Sequence, residues 1–428
     1  MNDESTWALS VLEETIGIPP ESRDEFMAGV APTDLRSMAA LLSATAEPGD
    51  DSTPSVNAFL NRTFEAMVED RFRARRPAGH LWYFPQPHRF AAFLSHDVDE
   101  VRWSWRRRLW MGLRHPRSWT DGPRRYRNFD RVLAQEDRWQ VRSSFFAASS
   151  GGHPRDPPYA LVDVADDLKR LEACGWEVGV HGTYESFETP GRLTAERAAL
   201  ARLLGREPDG VRQHFLNLRP DRTWGLQEEA GFAYDSTLAN RRRAGFRVGF
   251  CLPYRPPGHR ILEIPITAMD SQLFWYEKVD PARATARVMG LSEAAEQAHG
   301  VMCLNWHQHT WDELSFPGWW EPFLSGVESL RARGAWFVTG RELAAWWNRR
   351  SRIQVVERES VPGSGMWDIS DPRGGPAVLR IRTPDEHDWR VRVEGTDLFH
   401  ADIRGQEALV SLSALPAGTP VRVTAFAP

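Results

Sequence analysis

Apolar and polar positions fall into three textures along the chain. Up to about residue 85, apolar residues recur with helical period at 7–16, 35–42 and 56–72, separated by polar stretches such as GDDSTPS, which predicts a helical N-terminal region. From Phe90 to about Trp347, short apolar runs alternate with longer stretches of helical period. The runs FAAFLS, VRSSFFAAS, EVGVHG, GVRQHF, ILEIPIT, VMCLNWH and AWFVTG read as strands, and 164–174, 195–204 and 281–298 as helices between them. That alternation predicts an α/β fold, and about seven strands suit a barrel. Most of the runs end in polar or ionisable residues, as strands do when the C-terminal face of a barrel carries the site. From Ile353 strict alternation takes over in AVLRIRT, WRVRVEG, ALVSLSA and VRVTAFA, which predicts a small antiparallel β module that binds sugar or merely covers the barrel. The expected division is a helical region over 1–85, a barrel over 86–350 and a β-sandwich-like module over 351–428.

Composition narrows the function classes. With 428 residues, 41% of them hydrophobic and a formal net charge of −5, the chain can bury its own cores and offers no overall basic field for a phosphate backbone. Nucleic acid is therefore not an expected partner, and arginine clusters such as Arg106 to Arg108 and Arg241 to Arg243 read as solvated faces. Cys174, Cys251 and Cys303 are widely spaced and odd in number, which fits small buried hydrophobes better than a disulfide framework. The first residues are acidic and lack a positive region followed by an apolar run, and no stretch approaches the roughly 18 apolar residues of a membrane span. A cytoplasmic protein without a membrane span is the expectation.

Candidate chemistry sits where the strands end. In SHDVDE an apolar strand runs into Asp97, Asp99 and Glu100 beside His96. Like charges crowded there repel and are costly to bury unless a cation compensates. Asp97 and Asp99, two apart, would face one side of a continuing strand, although a lone DxD is also met as a solvated turn. His181 follows EVGV, and Glu185 and Ser186 would share its face if the segment turned helical. VRQHF puts Arg212 and His214 on one face, with an arginine able to hold a carboxylate, and NWHQHTW does the same with His307 and His309. Separate strands that each deliver an Asp, His or Arg point to one shared cavity. A mixture of carboxylate and imidazole suits zinc, iron, cobalt or manganese. Trp306, among the tryptophans near the last strand, could stack on a sugar face, and Asp235, Asn240 and Tyr184 are further candidates for substrate contact.

These segments resemble the polysaccharide deacetylases, the superfamily of the nodulation-type chitooligosaccharide deacetylases. FLSHDVDE resembles their TFDDG strand end, SSFFAAS the TFF strand, GWEVGVHGTY the GHEIGSHT segment and VRQHF the RxPxG strand. GFAYDSTL, LNWH and WFVTGREL resemble the remaining landmarks, in family order over about residues 88 to 347. The resemblance implies a distorted (β/α)7 barrel and a divalent metal, zinc foremost. It also implies hydrolysis of an N- or O-acyl group, commonly acetyl, on an amino sugar or saccharide by metal-activated water. Carried over by position, Asp97 matches the general base, Arg212 the arginine that orients it, and His307 the histidine that protonates the leaving group. His181 matches the first metal histidine, and Asp99, displaced by one position, is the nearest counterpart of the metal aspartate. An exchange of roles between the two aspartates stays open. Where the family has a second metal histidine four residues after the first, this chain has Glu185. His214, where the family often has proline, is the preferred substitute, with Glu185 and Ser186 as alternatives. A non-catalytic carbohydrate-binding protein on a decayed barrel, or a hydrolase of another C–N amide bond, are the rival readings.

Overall fold

Ala91–Val98 is apolar along most of its length and buried at every position, the signature of a parallel strand covered on both faces. This strand, β1, is the centre of the larger of two compact units, 43–54 with 91–344. The computed structural model describes residues 3–17, 19–28, 30–44, 51–115, 125–149, 152–385 and 389–427. On one side of β1 follow, in order, β2 (Ser144–Ala147), β3 (Glu177–Gly182), β4 (Gly210–Gln213), β5 (Tyr234–Asp235) and β6 (Leu262–Glu263). On its other side lie β8 (Val301–Asn305) and then β7 (Ala268–Met269), while β9 (Trp336–Val338) pairs with the start of β1. All of these pairings are parallel. The fold is an α/β, TIM-like distorted barrel accompanied by antiparallel sheets.

The sequence run ILEIPIT forms two short strands instead of one. Pro265 has no N–H to give a ladder, and the run changes partner around it. Ile264 and Ile266 N–H groups bond the carbonyls of Asp235 and Leu238, whereas Thr267 N–H bonds Cys303. One segment thus reaches both edges of the sheet and closes the barrel. The two-residue β5 carries no run long enough to register as a strand in sequence. Among the helices, Pro281–Gln297 starts on an Asp280 cap with proline in its first turn and buries Ala284, Val288, Leu291 and Ala295 along one stripe.

The second unit holds Met1–Leu42, Ser55–Phe90 and Ala345–Pro428. Its helices Asp3–Ile16, Pro32–Leu42 and Ser55–Arg73 lie where helical period predicts them. Two four-stranded antiparallel sheets complete it. Strand Ala78–Leu81, from the stretch expected to be helical, pairs with Gly375–Arg382 at the edge of one sheet. Trp367, fully buried in the other sheet, packs on Gly79 at a distance that leaves no space for a Cβ. Among the described residues no helix is long and apolar enough to cross a membrane.

At the N-terminal ends of the barrel strands the packing is tight. Tyr234 is fully buried, and a Cβ at either Gly210 or Gly340 would overlap its phenol. Beside it Glu177 accepts from Ser144 Oγ at 2.6 Å and from the Arg341 backbone N–H at 2.9 Å. Burial pushes the Glu177 carboxyl up from 4.5 to about 8, against the lowering effect of Ser144 and Tyr234. The folded protein therefore holds Glu177 neutral where the unfolded chain would ionise it. Its contribution to stability is complete below about pH 4.5 and is lost as pH rises through about 8. Melting curves should show Glu177→Gln gaining on the wild type across that window, and a difference that does not change with pH would contradict the assignment.

Candidate functional site

Asp97, Asp99, His181, His214, Asp270 and His307 are among the ionisable side chains that line a cavity of about 430 Å³ at the C-terminal ends of the strands. Asp97 lies within β1 and Asp99 one residue past it, so strand alternation puts both on one side. His181 comes from β3, His214 directly follows β4, Asp270 directly follows β7, and His307 stands two residues past β8. Immediately after His214 the chain turns through left-handed backbone at Phe215 and Leu216, φ 58° and 53°, a costly conformation for residues with a Cβ.

Below this floor runs Arg212, which has no solvent exposure. Its Nη1 lies 2.8 Å from Asp97 Oδ1 and 2.9 Å from both Ser95 Oγ and Asn305 Oδ1. Nε donates to the Ser236 carbonyl at 2.7 Å and Nη2 to Ser236 Oγ at 2.9 Å, while the guanidinium stacks 4.3 Å from the Phe146 ring centroid. Asn305 Nδ2 donates to the other oxygen of Asp97 at 2.8 Å. Both carboxylate oxygens of Asp97 are therefore fixed. Burial pushes this carboxyl up, but the charge of Arg212, followed by His181 and His307, outweighs it and holds Asp97 below the ordinary carboxylate value.

Asp99 is arranged differently. Its Oδ1 lies 3.2 Å from His181 Nε2 and 3.4 Å from His214 Nδ1, yet this buried atom has no hydrogen-bond partner. The outer nitrogens of both rings face carbonyl oxygens: His181 Nδ1 is 3.1 Å from the Arg212 carbonyl and His214 Nε2 is 2.9 Å from that of Arg155. Donation to those carbonyls leaves His181 Nε2 and His214 Nδ1 bare in the neutral rings, and these two atoms face each other at 3.0 Å. Two lone pairs and an orphaned carboxylate oxygen aimed at one point call for a cation between them. Ligand atoms of Asp99, His181 and His214 lie within 4.8 Å of one another, and an N, N, O donor set fits zinc, iron, cobalt or manganese. Without a cation Asp99 raises the His214 imidazole against burial, and the protonated rings of His214 and His307 then hold the Asp99 carboxyl well below the ordinary value against its own burial.

Glu185 and Ser186 do not join this set. The chain forms turns after Gly182 instead of a helix, so the fourth residue past His181 does not stack on it. Glu185 is half exposed against Arg192, and Ser186 Oγ donates to the Thr183 carbonyl.

His307 is clamped from behind by Asp270, whose Oδ1 lies 2.6 Å from its Nδ1 and whose Oδ2 accepts its backbone N–H at 3.0 Å. Thr310 Oγ1 steadies the same Oδ2 at 2.9 Å. Nε2 of His307 lies 3.2 Å from Asp99 Oδ2. Burial disfavours the imidazolium, but Asp270 and then Asp99 raise His307 well above the ordinary histidine value. His309 goes the opposite way, to about 4, through burial and the neighbouring His307. Asp270 and Asn305 are absent from the sequence expectations. The signal was there for Asp270, since it ends the apolar run ILEIPITAM as Asp97 does its own.

Three expected substrate contacts lie elsewhere. Asp235 is fully buried next to Glu263 and bonded by Thr237 Oγ1 at 2.5 Å. Burial raises both carboxyls, Glu263 well above the ordinary value, so they belong to the barrel wall and not to the cavity. Trp306 is fully buried with its Nε1 on the Trp319 carbonyl at 2.9 Å, so no sugar can reach its face. Tyr184 stacks on His153, with centroids 4.5 Å apart, and its hydroxyl meets Arg155. None of the three lines the cavity.

No protein-family model and no curated protein matches the chain. Several solved structures are similar to it. One assigned as a polysaccharide deacetylase from Mycobacterium smegmatis has 18% identity over 63% of this chain and 93% of its own, with a TM-score of 0.45. Another so assigned, from Pseudomonas aeruginosa PAO1, has 16% identity over 62% and 93%, TM-score 0.46. The Puue allantoinase has 16% identity over 62% and 92%, TM-score 0.45. In its ordered motifs the chain resembles the polysaccharide deacetylases, and solved structures assigned to that family are among those it is similar to.

Proposed function

We propose that the chain is a metal-dependent hydrolase that removes an acyl group, acetyl foremost, from the nitrogen or oxygen of an amino sugar or other saccharide. The observation that carries this reading is the approach of two imidazole nitrogens to each other at 3.0 Å, with the outer nitrogen of each ring on a backbone carbonyl, beside an unpartnered Asp99 oxygen and in the same cavity as an ionised Asp97. Asp99, His181 and His214 would hold the cation. When bound, it supplies Lewis acidity toward water and an acyl oxygen.

The remaining chemistry belongs to the chain's own groups. Asp97, kept ionised by Arg212 and fixed by Asn305, accepts a proton from the attacking water. A C–O bond forms at the acyl carbon as the C–N or C–O bond to the sugar breaks. His307 carries the proton that the departing amine or alkoxide takes up, because Asp270 stabilises its imidazolium. Arg212 and Asp270 are thus positioning residues, one for the base and one for the acid.

Two measurements test the reading. Asp97→Asn and His307→Ala, assayed on an N-acetylated amino-sugar oligomer, should each lose about 10² to 10⁴ in kcat, and near-wild-type turnover in either would rule out the assignment. Metal content gives an independent check by elemental analysis. Wild type loaded with zinc and desalted should retain one equivalent, as should Glu185→Ala, whereas His214→Ala should not; retention by His214→Ala would remove that histidine from the ligand set.

A further inference from the structure

The helix Trp105–Arg114, whose Arg107 lines the cavity, turns an apolar face to solvent. Trp105, Leu109, Trp110 and Leu113 are 72%, 47%, 51% and 75% exposed. At about 100° per residue they fall within one arc of roughly 140°. The opposite side is the buried one, where Met111 packs with Trp103, Tyr126 and Phe316. Scattered exposed apolar residues are ordinary, but four large ones within one arc of a single short helix, broken only by Arg106, are not.

Charge accompanies the stripe. The helix WRRRLWMGLR holds four arginines and no carboxylate. Arg106 lies over the Trp105 ring at 5.3 Å and Arg114 over Trp110 at 4.0 Å, so one cation stands within the apolar face and another at its edge. From 105 to 127 the sequence holds eight arginines and one aspartate, although the chain as a whole carries a net charge of −5. Phe215, Trp275 and Tyr276, also exposed, line the cavity together with Arg241 and Arg242. Seven of the twelve exposed large hydrophobics among the described residues therefore lie on this helix or around this opening.

Arginines flanking a Trp and Leu face match the interfacial zone of a bilayer, where apolar side chains enter the acyl boundary and guanidinium groups meet lipid phosphates. A glycan would use the aromatic rings but gains little from Leu109 and Leu113. We propose that helix Trp105–Arg114 lies in the headgroup region of an anionic lipid bilayer and brings the cavity opening to that surface. Docking there is independent of the reaction at the cavity floor.

Co-sedimentation of the full chain with phosphatidylcholine vesicles, with and without phosphatidylglycerol, tests this. Binding is expected only with phosphatidylglycerol and should weaken as salt rises. Arg106→Ala with Arg114→Ala should lower partitioning about thirtyfold, and Leu109→Ser with Leu113→Ser should also lower it. All four side chains are exposed, so melting temperature should hold in both variants. Absence of wild-type binding to the anionic vesicles would overturn the proposal, as would binding unchanged in both variants. Retention of the wild type on an immobilised glycan but not on vesicles would assign the face to sugar instead.

Discussion

A guanidinium sealed from water holds the centre of this barrel together. A buried charge costs several kcal/mol unless each of its donors is met, and Arg212 meets that demand from Ser95 and Asp97 in β1, Asn305 in β8 and Ser236 just past β5. Strands distant in sequence are therefore braced across the interior by one residue of β4. Removing it would leave Asp97 as an uncompensated anion, the costly way to break a buried pair. The same contact fixes the protonation state and aim of Asp97, so fold and chemistry share a single interaction.

Carboxyl groups in the barrel are sorted by their surroundings. Near the cavity, arginine and imidazole partners outweigh burial and keep Asp97 and Asp99 ionised. At the opposite ends of the strands the arginine beside Glu177, Arg341, stands off at 4.0 Å and burial wins, as it also does for Asp235 with Glu263 in the wall. Identical side chains thus serve as charged groups in one place and as neutral hydrogen-bonding fillers in another.

Much of this was legible because strand ends announce themselves. Asp97, Asp99, His181, Arg212, His214 and His307 each follow an apolar run, and the structure gathers all six at one end of the barrel. Asp270 escaped because Pro265 splits its run, leaving a two-residue strand before it. Trp306 and Asp235 misled because residue type says nothing about which way a side chain faces, and both turn into the core. Strand Ala78–Leu81 is only four residues long and wholly buried, too short to show alternation. The arginines of Trp105–Arg114 read as a solvated face, since charge is visible in sequence whereas the exposure of the intervening Trp and Leu is not.

In the proposed cation site, taking the second imidazole from the next strand, not from one turn further along the same segment, moves control of the donor spacing into the sheet. His181 is registered opposite Arg212, and Gly182 opposite Gln213, so backbone ladder bonds act as a caliper on the gap between the two rings. Slippage by one residue would swing His214 to the other face of the sheet and dismantle the donor pair.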